Sequence, residues 1–329
     1  MNLEFSALGA LVIGSWALTL SADTIFVVIL AALVFFSRSV PVSLLFLLSL
    51  NLVAFIQASL GGKKSESGRT QKRYGMVFLG NFCALIGSAL PNAQWSYPLI
   101  FFGLLLTVAN SVSSFLFYAH YESLSLKAYL QSVMIPSFVA VNILLKIKEG
   151  LKAENAEMWD LVLLGLGLST YVFSSLLALS KRRVKAVLLY LSQTWLGLLL
   201  FLLVMDAEKN SSEAFAAIAI SSLSSIALLS YASKLGGRYF SFSKVVAIAL
   251  PGAVGFTALY IALKLTIAYN GIWLAVIAAG YAIQAVTLIG ARPVPVLATL
   301  QIKIRFWITC GVQFATGIFL FWLNRGGLQ

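Results

Sequence analysis

The sequence predicts an all-α, polytopic integral membrane protein. Hydrophobic residues make up 60% of its 329 positions and charged residues only 10%, whereas about a quarter of the residues in a soluble domain are charged. The hydrophobic residues fall in repeated runs separated by short polar loops, and a helix needs about 20 apolar residues to cross a hydrocarbon core about 30 Å thick. Runs such as 161–179 do not alternate apolar and polar residues as barrel strands do, so helices are predicted throughout.

About 12 transmembrane helices (11–13) are predicted from these runs. In order, they are expected over 6–21, 24–37, 40–58, 75–91, 97–119, 127–147, 158–179, 185–205, 213–232, 243–266, 271–290 and 304–324. The first run follows no basic stretch and contains no A-x-A cleavage site, so we interpret it as a retained span rather than a signal peptide. The second run is short enough to be half of a hairpin. We therefore expect a single transmembrane domain, with an N-terminal three-helix part (1–60), a cytoplasmic loop (61–74) and a core (75–329).

The distribution of charge predicts the orientation in the membrane. The net charge is +12, and the basic residues concentrate in four loops, which contain Lys63, Lys64, Arg69, Lys72 and Arg73; Lys181, Arg182, Arg183 and Lys185; Lys234, Arg238 and Lys244; and Arg292, Lys303 and Arg305. Basic loops favour the cytoplasm. With 12 spans, all four lie on the cytoplasmic side, the acidic segment 206–213 lies on the other side, and both termini are outside. We interpret the basic loops as determinants of topology rather than as sites for nucleic acid or lipid head groups, and the short loops suit a bacterial inner membrane.

The sequence gives no sign of enzyme chemistry that the chain would perform alone. It contains no paired carboxylates, nucleophile–histidine pair, P-loop or dinucleotide-binding loop. The two cysteines, Cys83 and Cys310, lie in separate apolar runs and are expected to be packing residues rather than metal ligands. We therefore predict no metal, no cofactor and no nucleic-acid partner, with membrane lipid as the surrounding medium.

Few charged residues are candidates for an ion path. Lys264 is the best candidate for a buried cation, because it follows Pro251 and two glycines that predict a broken helix; the alternative is that it snorkels to the outer interface. His120 and Glu122 could pair near a helix junction, although such a pair at a membrane interface is usually structural. Uncharged polar residues within the spans are expected to form hydrogen bonds between helices.

The segment Val184–Gly197, VKAVLLYLSQTWLG, resembles a segment of the proton-antiporter-like subunits of respiratory complex I, Mrp-type cation antiporters and related inorganic-carbon uptake systems. The family pattern is close to K-R-x-L-A-Y-S-x-x-S-Q-x-G, and the matching positions here are Lys185, Val187, Leu188, Tyr190, Gln193 and Gly197. Three further stretches follow the family's order. The span 213–232 falls where the family has a histidine-bearing helix with a lysine. Residues 115–132 resemble its W-L-P-x-A-H segment, and 249–256, which include Pro251, Gly255 and Phe256, resemble its G-x-P-x-x-x-G-F stretch. The resemblance covers about 115–290 and implies a shortened, divergent antiporter-subunit helix bundle.

The chain departs from this family where the family carries protons. The family's intramembrane lysine falls near Phe138, and its histidine and lysine of a later helix fall near Ser222 and Ile226. The resemblance therefore implies that the fold is kept while the proton path is degenerate. A row of hydroxyls that includes Ser222 and Ser225 could still hold water, but it supplies no titrating charge.

Three functions remain open from the sequence. The first is a membrane subunit of a multi-protein complex that translocates protons or monovalent cations, with a scaffold or coupling role and with other subunits as partners. The second is a self-contained secondary transporter of a small solute, with broken helices at Pro136 and Pro251 around a site near the midplane. The third is a membrane-embedded enzyme that modifies lipids, which the lack of clustered carboxylates in the loops disfavours. The ion-path candidates are Lys264, Lys185, His120, Glu122, Ser222 and Ser225.

Overall fold

The computed structural model describes residues 3–20, 25–37, 39–61, 67–90, 93–112, 129–150, 156–205, 211–269, 271–293 and 299–326. Within these ranges the regular structure is helical and no strand is formed, as predicted. The helices are α1 (Leu3–Thr19), α2 (Ile25–Phe36), α3 (Val40–Gly61), α4 (Ser67–Ala89), α5 (Ala93–Val112), a π-helical turn (Leu130–Met134) that continues into α6 (Ile135–Gly150), α7 (Ala156–Leu179), α8 (Val184–Met205), α9 (Ser211–Leu235), α10 (Gly237–Ala249), α11 (Val254–Tyr269), α12 (Gly271–Gly290) and α13 (Leu300–Gly326).

The predicted count of about 12 spans is not supported. Among the described residues, six helical stretches are long and apolar enough to cross a membrane: Leu130–Lys148, Trp159–Leu179, Val184–Val204, Ser212–Leu235, Gly271–Gly290 and Leu300–Asn324. Six other apolar stretches are only 10–17 residues long. At 1.5 Å per residue, a helix such as α2, with 12 residues, rises about 18 Å, well short of a core about 30 Å thick. Apolar runs in the sequence therefore overestimated the number of full spans.

Two helix boundaries also differ from the prediction. The segment 61–74 was predicted as a loop, but α4 begins at Ser67, because the Arg, Gln and Lys residues that follow are good helix formers despite their charge or polarity. The run 243–266 was predicted as one span with a possible break near Pro251. It forms two helices, α10 and α11, on either side of that proline.

The chain forms two compact units. The first comprises residues 1–9 and 23–157. Its described helices include α6, which is almost entirely buried and carries Pro136 in its first turn. A proline has no N–H to bond the carbonyl four residues earlier, and that carbonyl, of Ser132, accepts a hydrogen bond of 3.5 Å from the Tyr74 hydroxyl. The π-helical turn precedes this point, as is common where the regular hydrogen-bond ladder is interrupted.

Lys146 closes the end of a neighbouring helix in the same unit. Its ammonium donates to the carbonyls of Val34 at 2.6 Å, Phe35 at 3.1 Å and Ser37 at 3.0 Å. These are the carbonyls at the C-terminal end of α2, which lack partners within the helix and carry its partial negative charge. The lysine is therefore a C-terminal cap of α2.

The second unit comprises residues 10–22 and 158–329. Its central helix, α9, is almost entirely buried. The second half of α1 lies along it, because the Trp16 indole N–H donates to the Ala219 carbonyl at 3.3 Å and the Tyr231 hydroxyl donates to the Thr19 carbonyl at 3.1 Å. Helices α8, α10, α11 and α13 also pack on α9. Since α9 has no charged residue between Glu213 and Lys234, its interior contacts are apolar or made by neutral hydroxyls.

One end of this unit is basic, and the other carries Glu213. At one end, the Arg292 N–H donates to the Arg182 carbonyl at 2.9 Å, so the loop after α7 meets the loop after α12. At the other end, the Asn324 amide donates to the Glu213 carboxylate at 2.6 Å, so the end of α13 meets the start of α9. The basic loops of this unit therefore share one end and Glu213 lies at the other, which is the grouping that the predicted orientation requires.

Candidate functional site: the broken helix and its polar neighbours

The break between α10 and α11 is a tight turn whose residues fit its geometry. The Ala253 N–H donates to the Leu250 carbonyl at 2.9 Å, and the two central residues are Pro251 and Gly252, the latter with φ of +90°. This is the pattern of a type II turn, in which proline suits the first central position and glycine the second, since the second requires a positive φ. The turn stops α10 and lets α11 start again at Val254.

The turn packs directly against α13. A Cβ atom added to Gly317 would lie 2.4 Å from the Gly252 carbonyl oxygen and 2.5 Å from backbone atoms of Ala253 and Val254. The Thr257 hydroxyl donates to the Gly317 carbonyl at 2.9 Å. The absence of a side chain at Gly317 therefore allows the broken helix and α13 to make backbone contact, as small residues do in membrane helix interfaces.

A neutral polar environment surrounds the break. A Cβ added to Gly255 would lie 3.4 Å from the Ala247 carbonyl oxygen and 3.5 Å from the Ser221 hydroxyl oxygen. The Ser221 hydroxyl is buried and has no hydrogen-bond partner among the described residues. Because α10 ends here, its last carbonyls also lack partners within the helix. Phe256 packs on Phe321, with ring centroids 6.3 Å apart, and separates this region from the far end of α11.

A glutamine on α13 organises the serines of α9. The Gln313 amide nitrogen donates to the Ser224 hydroxyl oxygen at 2.9 Å and to the Ser225 hydroxyl oxygen at 3.0 Å. The Ser224 hydroxyl in turn donates to the Ile220 carbonyl. Sequence reasoning missed Gln313, although the signal was present, because it is an amide inside an apolar span, where uncharged polar residues are expected to bond between helices. It makes the α9–α13 interface polar without adding charge.

A small cavity adjoins these serines. About 20 Å³ is open to the centre of a water-sized sphere, which is enough for one water molecule. Its polar lining comes from Ser222, Ser225, Tyr281 and Gln284, and the remainder is apolar. The Tyr281 hydroxyl has no hydrogen-bond partner in the described part of the chain, while the Ser222 hydroxyl donates to its own helix at Ala219, 3.2 Å away. The arrangement can bind water, but its groups do not titrate near neutral pH.

The best candidate for a buried cation lies at the acidic end of the unit. The half-buried Lys264 ammonium donates to the Asn324 side-chain oxygen at 2.9 Å, and the Asn324 amide donates to the Glu213 carboxylate at 2.6 Å. Asn324 is 3% exposed, so the amide joins the lysine and the glutamate through a buried link. Sequence reasoning identified Lys264 but not Asn324 or its connection to Glu213.

The other sequence-derived candidates do not converge on this point. Lys185 is exposed at the start of α8, at the basic end, whereas Lys264 is at the acidic end. Tyr190 and Gln193 are buried on α8. His120 and Glu122 lie outside the described residues.

Gly197 has a packing role. A Cβ at this position would lie 2.6 Å from the Tyr171 backbone nitrogen and 2.9 Å from the Gly167 carbonyl oxygen. The backbones of α7 and α8 therefore touch at Gly197.

The positions at which the sequence resemblance places the family's intramembrane charges are buried and uncharged here. Phe138 and Ser222 have no exposed surface, and Ile226 is 1% exposed. Among the described residues, no group of three or more His, Cys, Asp or Glu side chains could hold a metal ion. The candidate site is thus a neutral, hydroxyl-bearing region around a broken helix, with one cation at its acidic end.

No protein-family model matches the sequence, and no curated protein matches it. Solved structures do match. A chain of respiratory complex I from Thermus thermophilus with bound NADH has a TM-score of 0.72 at 14% identity, over 97% of this chain and 81% of that chain. A chain of the membrane-bound sulfane sulfur reductase, an archaeal respiratory membrane complex, has a TM-score of 0.69 at 14% identity, over 98% and 81%. A chain of Thermus thermophilus complex I with bound aureothin has a TM-score of 0.66 at 18% identity, over 95% and 82%. The chain is therefore an integral membrane protein with the complex I-like membrane-subunit fold that the sequence resemblance implied.

Proposed function

We propose that the chain is a membrane subunit of a multi-subunit complex that translocates protons or monovalent cations, and that it serves there as a scaffold or coupling element with a degenerate proton path. The observation that supports this most strongly is the shared fold, which extends over 95–98% of the chain and relates it to components of two respiratory complexes. Partner subunits supply the redox or ion-coupling chemistry in this proposal.

The neutral interior supports the degenerate path. A charged side chain at the bilayer centre costs about 2.5–3.5 kcal/mol on insertion scales and is kept where it has a function. The positions discussed above, Phe138, Ser222 and Ile226, are buried without such a charge. A chain that has this fold but no buried charge at these positions is better suited to holding neighbouring subunits in place than to storing a proton.

We further propose a bacterial inner-membrane location with the basic loops in the cytoplasm and the termini outside. The grouping of Arg182 and Arg292 at one end, with Glu213 at the other, supports this orientation. Lys264, next to Asn324 and Glu213, then faces the outer side, where it is the candidate for an entry or exit group.

The test of the proposal is purification of the tagged chain from its native host in mild detergent, followed by mass spectrometry of the proteins that accompany it. The expected result is one or more stoichiometric partners that carry redox or ion-coupling components. A clean, monodisperse single chain with no such partner would contradict the proposal.

The broken helix supports a second candidate, a self-contained secondary transporter of a small solute. Unwound backbone at mid-helix is a feature of transporter binding sites. Here it adjoins the Ser221 hydroxyl, which has no hydrogen-bond partner among the described residues, and α10, which ends at the break, also lines the water-sized cavity through Ala247 and Ile248. Solute-dependent uptake into liposomes that contain only this purified chain would favour the transporter, and uptake that requires the partners would favour the subunit.

A further inference from the structure

A groove at the basic end of the second unit brings several cations to the surface. It has a volume of about 390 Å³ and is lined by Leu179, Lys181, Arg182, Val286, Thr287, Gly290 and Arg292. These residues come from the end of α7, the end of α12 and the loops that follow them. We refer to these seven residues as the cationic groove.

The backbone holds the cations of the groove together. The Arg292 N–H donates to the Arg182 carbonyl at 2.9 Å, and Arg183 and Arg292 form an isolated β-bridge. The Lys244 ammonium donates to the carbonyls of Ile289 and Ala291, each at 2.8 Å, and so fixes the end of α12. The two loops that carry Arg182, Arg183 and Arg292 are therefore held side by side through their main chains.

The sequence of this unit places no carboxylate near Arg182, Arg183 or Arg292 along the chain. Its carboxylates are Asp160 near the start of α7, Asp206 and Glu208 between α8 and α9, and Glu213 at the start of α9. The described ones, Asp160 and Glu213, are at the other end of their helices, and no Asp or Glu occurs from 214 to 329. Lys181 lies 6.0 Å from the Tyr190 ring centroid, but Arg182 and Arg292 are exposed. Like charges held together by the fold in this way favour an anionic ligand from outside the unit.

Exposed aliphatic side chains lie beside the charged residues of the groove. Leu179 is 44% exposed, Val286 is 60% exposed and the neighbouring Ile289 is 67% exposed. Exposed aliphatic side chains on a membrane helix are solvated by acyl chains, while guanidinium groups bind phosphate oxygens through paired hydrogen bonds. The groove therefore presents a phosphate-binding rim above a lipid-facing wall.

We propose that the cationic groove binds the headgroup phosphate of an anionic phospholipid, with the acyl chains along Val286 and Ile289. Basic pockets between membrane helices on the cytoplasmic side are suited to such lipids. The site is separate from the broken helix and does not depend on the proposed transport role. The bound lipid would neutralise Arg182 and Arg292 and fix the two loops.

The test is native mass spectrometry of the purified full-length chain, titrated with a phosphatidylglycerol and, separately, with a phosphatidylcholine of the same acyl chains. The test variant is Arg182→Gln with Arg292→Gln. The control is Lys234→Gln with Arg238→Gln, which removes the same charge from exposed residues at the same end but outside the groove. The backbone bond between Arg182 and Arg292 is kept in the test variant, so its folding can be verified by size-exclusion chromatography.

We expect the wild-type chain and the control to retain phosphatidylglycerol in preference to phosphatidylcholine. The groove variant should bind phosphatidylglycerol about 30-fold more weakly, since each basic residue near an anionic headgroup contributes about fivefold. Equal loss in the two variants would overturn the proposal, because it would indicate diffuse attraction by net charge. Displacement of the lipid by millimolar inorganic phosphate would instead identify a site for free anions. If the complex is purified and an acidic segment of a partner protein crosslinks to Arg292 in place of lipid, the proposal is also wrong.

Discussion

Replacing Gly317 by alanine should separate the broken helix from α13. The new Cβ would lie 2.4 Å from the Gly252 carbonyl oxygen, a distance at which the backbones must move apart, and ordinary contact at 3.4 Å is reached after a separation of 3.4 − 2.4 = 1.0 Å. A shift of that size would stretch the hydrogen bond between the Thr257 hydroxyl and the Gly317 carbonyl, now 2.9 Å, beyond hydrogen-bond range. All the nearest atoms belong to the backbone, so no flexible side chain can rotate away.

The expected cost is about 1–3 kcal/mol, which is typical of overpacking in a tight interface. Gly311→Ala is the matched control, because it makes the same substitution on the same helix, where nothing lies within 4 Å of the new atom. The assay is the apparent melting temperature of each detergent-purified variant, measured by fluorescence-detected size-exclusion chromatography. Gly317→Ala should melt several degrees below the wild type and Gly311→Ala at or slightly above it. If the two variants melt at the same temperature, the close contact between the turn and α13 is not as described.

Three further predictions concern charge, the turn and a helix cap. Lys264→Ala should reduce any ion flux into proteoliposomes far more than Lys234→Ala, which changes an exposed lysine at the opposite end; equal effects would remove Lys264 from the path. Pro251→Ala should alter flux or complex assembly more than membrane expression, whereas loss of expression would make Pro251 structural. Lys146→Met should destabilise the protein by about 1.5–3 kcal/mol because three carbonyls at the end of α2 lose a charged donor. Lys146→Arg should recover most of the loss in melting temperature, and an unchanged melting temperature for Lys146→Met would show that the cap contributes nothing.

The helical class and the broken helix could be predicted from the sequence because both depend on local chemistry. Long apolar runs can satisfy their backbone in lipid only as helices, and Pro251–Gly252 suits one kind of turn. The number of full spans could not be predicted in the same way. Apolar composition indicates that a segment is buried in lipid or protein, but not whether its helix crosses the full thickness of the membrane. Helix α2 is an example, because it is apolar but only 12 residues long.

The candidate site was predictable only in part. Lys264 stood out because a charge in an apolar span is costly, and its location at the outer side of the membrane stays a prediction. Its link through Asn324 to Glu213 joins residues 60 and 111 positions apart, and such pairings depend on how the helices pack. Gln313 and Ser224, 89 positions apart, illustrate the same limit. A polar residue in a membrane span indicates that a hydrogen-bond partner exists, but the sequence does not identify that partner.

The polar groups between α9 and α13 are neutral, unlike the Lys264–Asn324–Glu213 link at the acidic end. A path that stores protons needs groups whose charge changes, and each such group must be stabilised in both states. Ser224, Ser225 and Gln313 instead form a neutral network between α9 and α13, with a water-sized cavity beside it. Neutral hydrogen bonds in membranes stabilise helix pairs by about 0.6 kcal/mol each without requiring a titrating partner. Such a network can hold α9 and α13 together whether or not an ion passes, which is what the proposed scaffold role requires.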